Sequence, residues 1–175
     1  MVNIEGTLKY LQQENKIPSS GYFEITEDLI KDYFFAYAIV NGKVEGTNSK
    51  SNTKFARRLA GINLLKENIS RGAKPTDIKA GHIYLISNPA FPLHYKVGVS
   101  SDAHKRLASY QTYSPYRDFI LEKYDFVIDK FKVEKLILNH PLLNKANGEW
   151  VLKENAKLVF DDLSNSHISE GYLGL

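Results

Sequence analysis

The sequence predicts an α+β protein in two parts: an N-terminal α-β-β-β-α domain over residues 1–67, and a domain of three strands and three helices over residues 80–163. Three observations lead there. Several segments rich in aromatic and β-branched residues are bounded by turn-forming residues, as strands are. Others repeat apolar residues at three- and four-residue steps, the helical period. Between the parts, Asn68-Ile69-Ser70-Arg71-Gly72-Ala73-Lys74-Pro75-Thr76-Asp77 is rich in breakers and poor in apolar residues, which predicts a linker over residues 68–79. A chain of 175 residues, 43% of them hydrophobic, can build two small cores.

In the first part, Leu8, Leu11 and Gln12 fall at helical spacing before Ile17-Pro18-Ser19-Ser20-Gly21, where proline and glycine end a short helix. Tyr22 to Ile25 and Asp32 to Val40 read as strands, and Asn41-Gly42 is a hairpin signal into a third, Lys43 to Gly46. Asn48-Ser49 then caps a helix with apolar positions at Ala56, Leu59, Ala60, Leu64 and Leu65.

In the second part, His82 to Ser87 and His94 to Ser100 read as strands joined by Asn88 to Leu93. Alternation places Tyr84 on one face of the first and Lys96 and Gly98 on one face of the second, so that Tyr84 and Lys96 are expected to meet across the hairpin. Ser101-Asp102 caps a helix to about Gln111, on which Arg106 and Tyr110 are one turn apart. The breaker Thr112-Tyr113-Ser114-Pro115 precedes a third strand, Phe119 to Phe126. A helix from Lys132 to Asn139 carries Glu134, and a last helix covers Glu154 to Leu163. Glu149 is expected to be structural, and Trp150 a structural core anchor. His140, before Pro141, reads as a helix-end histidine, and residues 164–175 as a Ser/Gly-rich tail.

The chain has no cysteine, which excludes disulfides, thiolate nucleophiles and zinc ribbons and leaves carboxylate, histidine or water to hold any metal. The longest apolar run, Phe34 to Val40, is too short for a membrane span, and the first residues lack a signal-peptide layout. A soluble intracellular protein is expected, with no membrane partner. The net charge of +3 is only mildly basic. Its distribution is uneven: residues 1–32 are acidic on balance, whereas Lys43, Lys50, Lys54, Arg57, Arg58 and Lys66 face only Glu45. Such a run suits phosphate or forms a solvated helix face.

Two resemblances sharpen the reading. The order of residues 5–67, with Ser49-Lys50-Ser51-Asn52-Thr53-Lys54 opening a helix, resembles the double-stranded-RNA-binding domain. It implies that Lys50 and Lys54 bridge phosphates, and that Gln12 and Gln13 reach the minor groove. Arg57 and Arg58 extend the basic patch. Gly81 to Gly98 reads G-H-I-Y-L-I-S-N-P-A-F-P-L-H-Y-K-V-G, with eleven residues between Tyr84 and Lys96 and Arg106 eight residues beyond Gly98. This resembles the GIY-YIG nuclease superfamily over residues 80–163, whose architecture is a three-stranded antiparallel sheet flanked by helices. Lys96 stands where tyrosine is usual, but Tyr95-Lys96-Val97-Gly98 resembles a viral and bacterial branch with a Y-K-[IV]-G form, as do Gln111-Thr112, Ser114-Pro115 and Gly148-Glu149-Trp150. The superfamily's late asparagine has no clear match.

The resemblance implies that Glu134 holds Mg²⁺ (or Mn²⁺), Arg106 clamps the scissile phosphate, Tyr84 is general base, Tyr110 stands where histidine or tyrosine is found, and Gly98 is structural. Free tyrosine titrates near ~10, so a base at neutral pH needs a nearby cation, and Lys96 is the expected source. The function implied is a metal-dependent endonuclease for double-stranded or structured nucleic acid, RNA favoured over DNA, delivered by the N-terminal domain. The alternative is a protein that sequesters double-stranded RNA on a nuclease-like fold without catalysis. Both suit the cytoplasm of a bacterium or a virus-infected cell, and a homodimer is compatible with either.

Overall fold

The computed structural model of the chain describes residues 3–42 and 50–165, and for residues 50–53 the backbone alone. The described residues are mixed helix and sheet, an α+β protein with six α-helices and one four-stranded antiparallel sheet. They divide into two compact units between Ile78 and Lys79.

The first unit is helical throughout its described elements: α1 (Ile4–Gln13), α2 (Glu27–Asn41) and α3 (Lys50–Ser70). This corrects the α-β-β-β-α expectation. Residues 32–40 are rich in aromatic and β-branched side chains, but their burial follows the helical period: Leu29, Ile30, Tyr33 and Phe34 are buried, while Phe35 and Ile39 are exposed. Thr26 caps the helix, its hydroxyl accepting from the Leu29 N–H at 3.1 Å, and Glu27 and Asp28 occupy the first turn, where the helix dipole favours them. Asn41-Gly42 ends this helix instead of turning a hairpin. Gly42 has φ +85°, and its N–H donates to the Ala38 carbonyl at 2.9 Å. The expected third strand, Lys43 to Gly46, and the cap at Asn48-Ser49 lie outside the described residues.

Residues 22–25 form no strand either. The Asn68 side chain takes the place of a strand partner for Phe23, accepting from its N–H at 3.0 Å and donating to its carbonyl at 2.9 Å. Asn68 is therefore buried within the unit and is not part of a linker. Arg71 donates to the Pro18 and Gly21 carbonyls at 2.8 and 3.0 Å, so the folded chain runs well into the segment expected to be a linker. A breaker-rich composition here marks the end of α3 at Gly72, with φ +94°, and one 3-10 turn at Pro75–Asp77.

The second unit is built on β1 (Gly81–Ser87), β2 (His94–Ser100), β3 (Ile120–Val127) and β4 (Trp150–Leu152), in the order β3-β1-β2-β4. The fourth strand corrects the expected three. It pairs only His94 with Leu152, Tyr95 with Val151 and Lys96 with Trp150, too short a run for alternation to reveal it. β1 is buried along its whole length because both sheet faces are covered. Ile83, Leu85 and Val97 pack with Val133 and Ile137 of α5 (Lys130–Leu138) and Val159 and Phe160 of α6 (Ala156–Ser164). On the other face Tyr84 and Ile86 pack with Ala103, Leu107 and Tyr110 of α4 (Ala103–Gln111). Ser164 is buried at the end of α6, and the remainder of the expected tail, residues 166–175, lies outside the described residues. Among the described residues no helix is long and apolar enough to cross a membrane.

Candidate active site

The α4-covered face carries Tyr84, Lys96 and Gly98 of the sequence-predicted site, whereas Glu134 stands on α5, which packs on the other face. Pairing sets Tyr84 directly opposite Gly98, and Ile86 opposite Lys96. Opposite residues share a face, so the Tyr84 ring lies against the missing side chain of Gly98, and Lys96 is one step along the diagonal. A Cβ on Gly98 would stand 2.6 Å from the ring's Cε1 and closer still to Cζ and the hydroxyl. Glycine is therefore required for the ring's seat, and the expected face-to-face meeting of Tyr84 with Lys96 is corrected.

α4 is aimed at this ring by its N-terminus. Asp102 Oδ1 accepts from the His104 and Lys105 N–H groups at 3.0 and 3.2 Å, and the Ala103 N–H donates to Nδ1 of the buried His82 at 2.9 Å. One helical turn separates Arg106 from Tyr110. Tyr110 is half-buried and hydrogen-bonds the Tyr84 hydroxyl; Arg106 is exposed, acts on Tyr84 as a positive charge, and makes no ion pair among the described residues.

Tyr84 is 1% exposed, and burial is the largest cause raising its pKa above the ordinary tyrosine value. The Tyr110 hydrogen bond and the Glu149 carboxylate add to the rise, and the Arg106 charge opposes it. The phenol is therefore neutral at physiological pH. Lys96 is not the cation acting on it: its Nζ is held by Glu149 Oε2 at 2.8 Å, with the Trp150 ring 5.9 Å away. The Lys96-activated phenolate is thus corrected.

Glu149 carries more than the structural role expected of it. Its carbonyl accepts from the Val97 N–H at 2.9 Å, so the β2 edge fixes its backbone, and its carboxylate holds Lys96. It also acts on Glu134. That half-buried carboxyl, on α5, has its pKa raised first by burial and then by the Glu149 charge, with Lys96 offsetting both. Tyr84, Arg106, Tyr110, Lys96, Glu134 and Glu149 therefore form one electrostatically connected group. Its sequence signal was the Gly148 turn, φ +61°, which projects Glu149 just before a pairing strand. Trp150 is half-buried against Phe91, with ring centroids 5.1 Å apart, so it anchors the sheet edge instead of the core.

Of the nucleic-acid residues expected in the first unit, the structure removes one. Arg57 is wholly buried and forks onto Glu27, Nη1 to Oε2 at 2.7 Å and Nη2 to Oε1 at 2.5 Å, which removes it from any ligand. Lys54 and Arg58 are half-buried on α3, Gln12 is half-buried and Gln13 exposed on α1, and the Lys50 side chain lies outside the described residues. Among the described residues no three Asp, Glu or His side chains are arranged to hold a metal.

No curated protein and no solved structure matches the chain. A family model described as the T5orf172 domain matches residues 81–150, from the start of β1 to the start of β4, which is less than half of the chain. Neither a GIY-YIG nor a double-stranded-RNA-binding family model matches. The second unit, with its tyrosine, arginine and two carboxylates, is similar to the T5orf172 domain, a domain found in some endonuclease-like proteins.

Proposed function

We propose that the second unit hydrolyses phosphodiester bonds in double-stranded or structured nucleic acid, using a divalent cation, Mg²⁺ or Mn²⁺, at Glu134. The observation that carries this reading is the electrostatic linkage, in one group, of an exposed guanidinium with no ion pair among the described residues, a buried phenol and two carboxylates that act on each other. The donor set suits a hard cation. Mg²⁺ keeps several waters and takes one or two protein carboxylates, so Glu134, with Glu149 near, is a sufficient contribution. Like-charge crowding on Glu134 is relieved by a cation.

When bound, the cation supplies charge stabilisation and an acidified water. Arg106 binds the phosphate, since its fork donates in pairs to phosphoryl oxygens. Tyr84, kept neutral by burial, gives its one proton to the Tyr110 oxygen and so positions that hydroxyl, whose own proton is left to orient the nucleophile or a phosphoryl oxygen. The preference for RNA rested on an N-terminal strand-bearing domain, and the helical unit removes that ground.

Matched labelled RNA and DNA duplexes test the proposal. Cutting is expected with Mg²⁺ or Mn²⁺ and not with chelator, and Glu134→Ala is expected to abolish it while binding survives. Cutting that persists in Glu134→Ala would overturn the assignment. Binding without cleavage in any metal would favour the sequestering protein instead, a reading that the Lys96–Glu149 pair supports by setting an ammonium beside the carboxylates.

The two carboxylates give a pH test. Glu134 must be ionised to take the cation, and its raised pKa in the metal-free protein places the acid limb of activity, at subsaturating cation, above that of an ordinary carboxylate. Glu149→Gln removes the like charge and releases Lys96, both of which favour the ionised form. The acid limb is therefore expected to move to lower pH, as read from a pH–rate profile.

A further inference from the structure

The loop between α4 and β3 presents two tyrosines, Tyr113 and Tyr116, each 82% exposed. Its other aromatic neighbours turn inward: Phe119 packs on Tyr110 with ring centroids 5.4 Å apart. The loop is tightly tied. The Gln111 side chain closes it on both sides of Phe119, donating to the carbonyl at 2.8 Å and accepting from the N–H at 2.9 Å. Asp118 Oδ1 accepts from Ser114 Oγ at 2.7 Å and from Asn88 Nδ2 at 2.9 Å. Ser114 in turn accepts from the Tyr116 N–H at 3.3 Å, and the Arg117 N–H donates to the Ser114 carbonyl at 3.1 Å. Pro115 fixes one φ, and Arg117 holds φ +48°, a left-handed conformation that a non-glycine residue adopts at a cost.

A loop so constrained holds its rings in water, where their apolar faces gain nothing, and the ordering entropy of binding is already largely spent. It carries one cation, Arg117, next to the Asp118 carboxylate. Asp118 is engaged by Ser114 and Asn88, which hold its carboxyl below the ordinary range with the Ser114 bond as the larger cause, whereas Arg117 is exposed. The loop also continues the site: the Tyr113 N–H donates at 3.0 Å to the carbonyl of Tyr110, whose hydroxyl meets Tyr84.

We infer that Tyr113 and Tyr116 are a stacking platform for unpaired bases beside the position at which Arg106 holds a phosphate, with Arg117 on the adjoining backbone. Tyrosine faces accept any base, so the platform selects for unstacked structure and not for sequence. It makes bulges, junctions and frayed ends the preferred substrates. The inference rests on the nucleic-acid reading of the second unit.

The test measures affinity of the full-length protein, in chelator to prevent cutting, for a fully paired duplex and for the same duplex with an unpaired bulge carrying 2-aminopurine. Wild-type protein is expected to prefer the bulged duplex and to quench 2-aminopurine emission. Tyr113→Ala/Tyr116→Ala is expected to bind the bulge about 5- to 100-fold more weakly, while Tyr113→Phe/Tyr116→Phe keeps both affinity and quenching. Equal binding of the bulged duplex by wild type and the alanine pair, without quenching, overturns the platform and leaves the nuclease reading intact. Failure of wild type to bind either duplex overturns both. Substitutions at such exposed positions leave the core untouched, and an unchanged Tm verifies it.

Discussion

Gly98→Ala is expected to destabilise the second unit by about 3 kcal/mol, lowering its Tm by roughly 15 °C, and to remove activity along with stability. The added methyl would meet the Tyr84 ring at 2.6 Å or less. The ring cannot step aside, because it is buried beneath α4, packed with Ala103, Leu107 and Tyr110. Small-to-large changes in tight cores usually cost about 1–3 kcal/mol, and a clash with an immobile ring belongs at the upper end. A double-mutant cycle isolates the cause. Tyr84→Ala empties the space the new methyl needs, so the pair Gly98→Ala/Tyr84→Ala is expected to cost less than the sum of the single changes. Strict additivity would place the damage in the β2 backbone instead. The chain's one tryptophan, Trp150, lies on the strand paired to β2, so its emission during urea unfolding follows the affected sheet.

The same register explains how far the site could be read in advance. Alternation alone assigns Tyr84, Lys96 and Gly98 to faces, and helical spacing sets Arg106 beside Tyr110. What alternation cannot supply is which residues stand opposite. The six-residue connection from Asn88 to Leu93 determines that, and it brings Tyr84 to Gly98 and Lys96 to Ile86. Glu149 was harder to foresee, since its role arises from pairing between β4 and β2, about fifty residues apart in sequence. The same distance hides the partner of Lys96 from local sequence, since the carboxylate that holds it is non-local.

In the first unit local composition misled. The run from Asp32 to Val40 has the side chains that strands favour, but β-propensity measures packing on a pleated surface more than any backbone preference. Here the same side chains pack at helical spacing, helped by the Thr26 cap at one end and Gly42 at the other. At the far end of the helix Asn41 replaces the expected hairpin turn with a tertiary tie. Its Nδ2 donates to Thr7 Oγ1 at 3.1 Å, and its Oδ1 accepts from the Asn3 N–H at 2.6 Å, so α2 ends where α1 begins.

Arg57 makes the consequence of that helical packing measurable. Its guanidinium is 0% exposed, whereas the partner Glu27 side chain retains 30%. Breaking a buried pair typically costs about 3–5 kcal/mol, because the survivor is left charged without water. The two truncations are therefore expected to differ. After Arg57→Ala, Glu27 can turn to solvent and still interacts with the N-terminal dipole of α2, so a cost of about 2–3 kcal/mol is expected, part of it from the cavity. After Glu27→Ala the guanidinium stays enclosed without that carboxylate, and about 3–5 kcal/mol is expected. Arg57→Met fills the space without the charge and should recover part of the loss relative to Arg57→Ala. Helical far-UV circular dichroism during urea unfolding reads all three, with Trp150 emission recording the second unit separately. Had Arg57 been a phosphate contact on an open helix face, Arg57→Ala would leave stability within about 0.5 kcal/mol of wild type. A loss several times larger, ordered Glu27→Ala above Arg57→Ala above Arg57→Met, identifies the arginine as the ion-paired core joining α2 and α3.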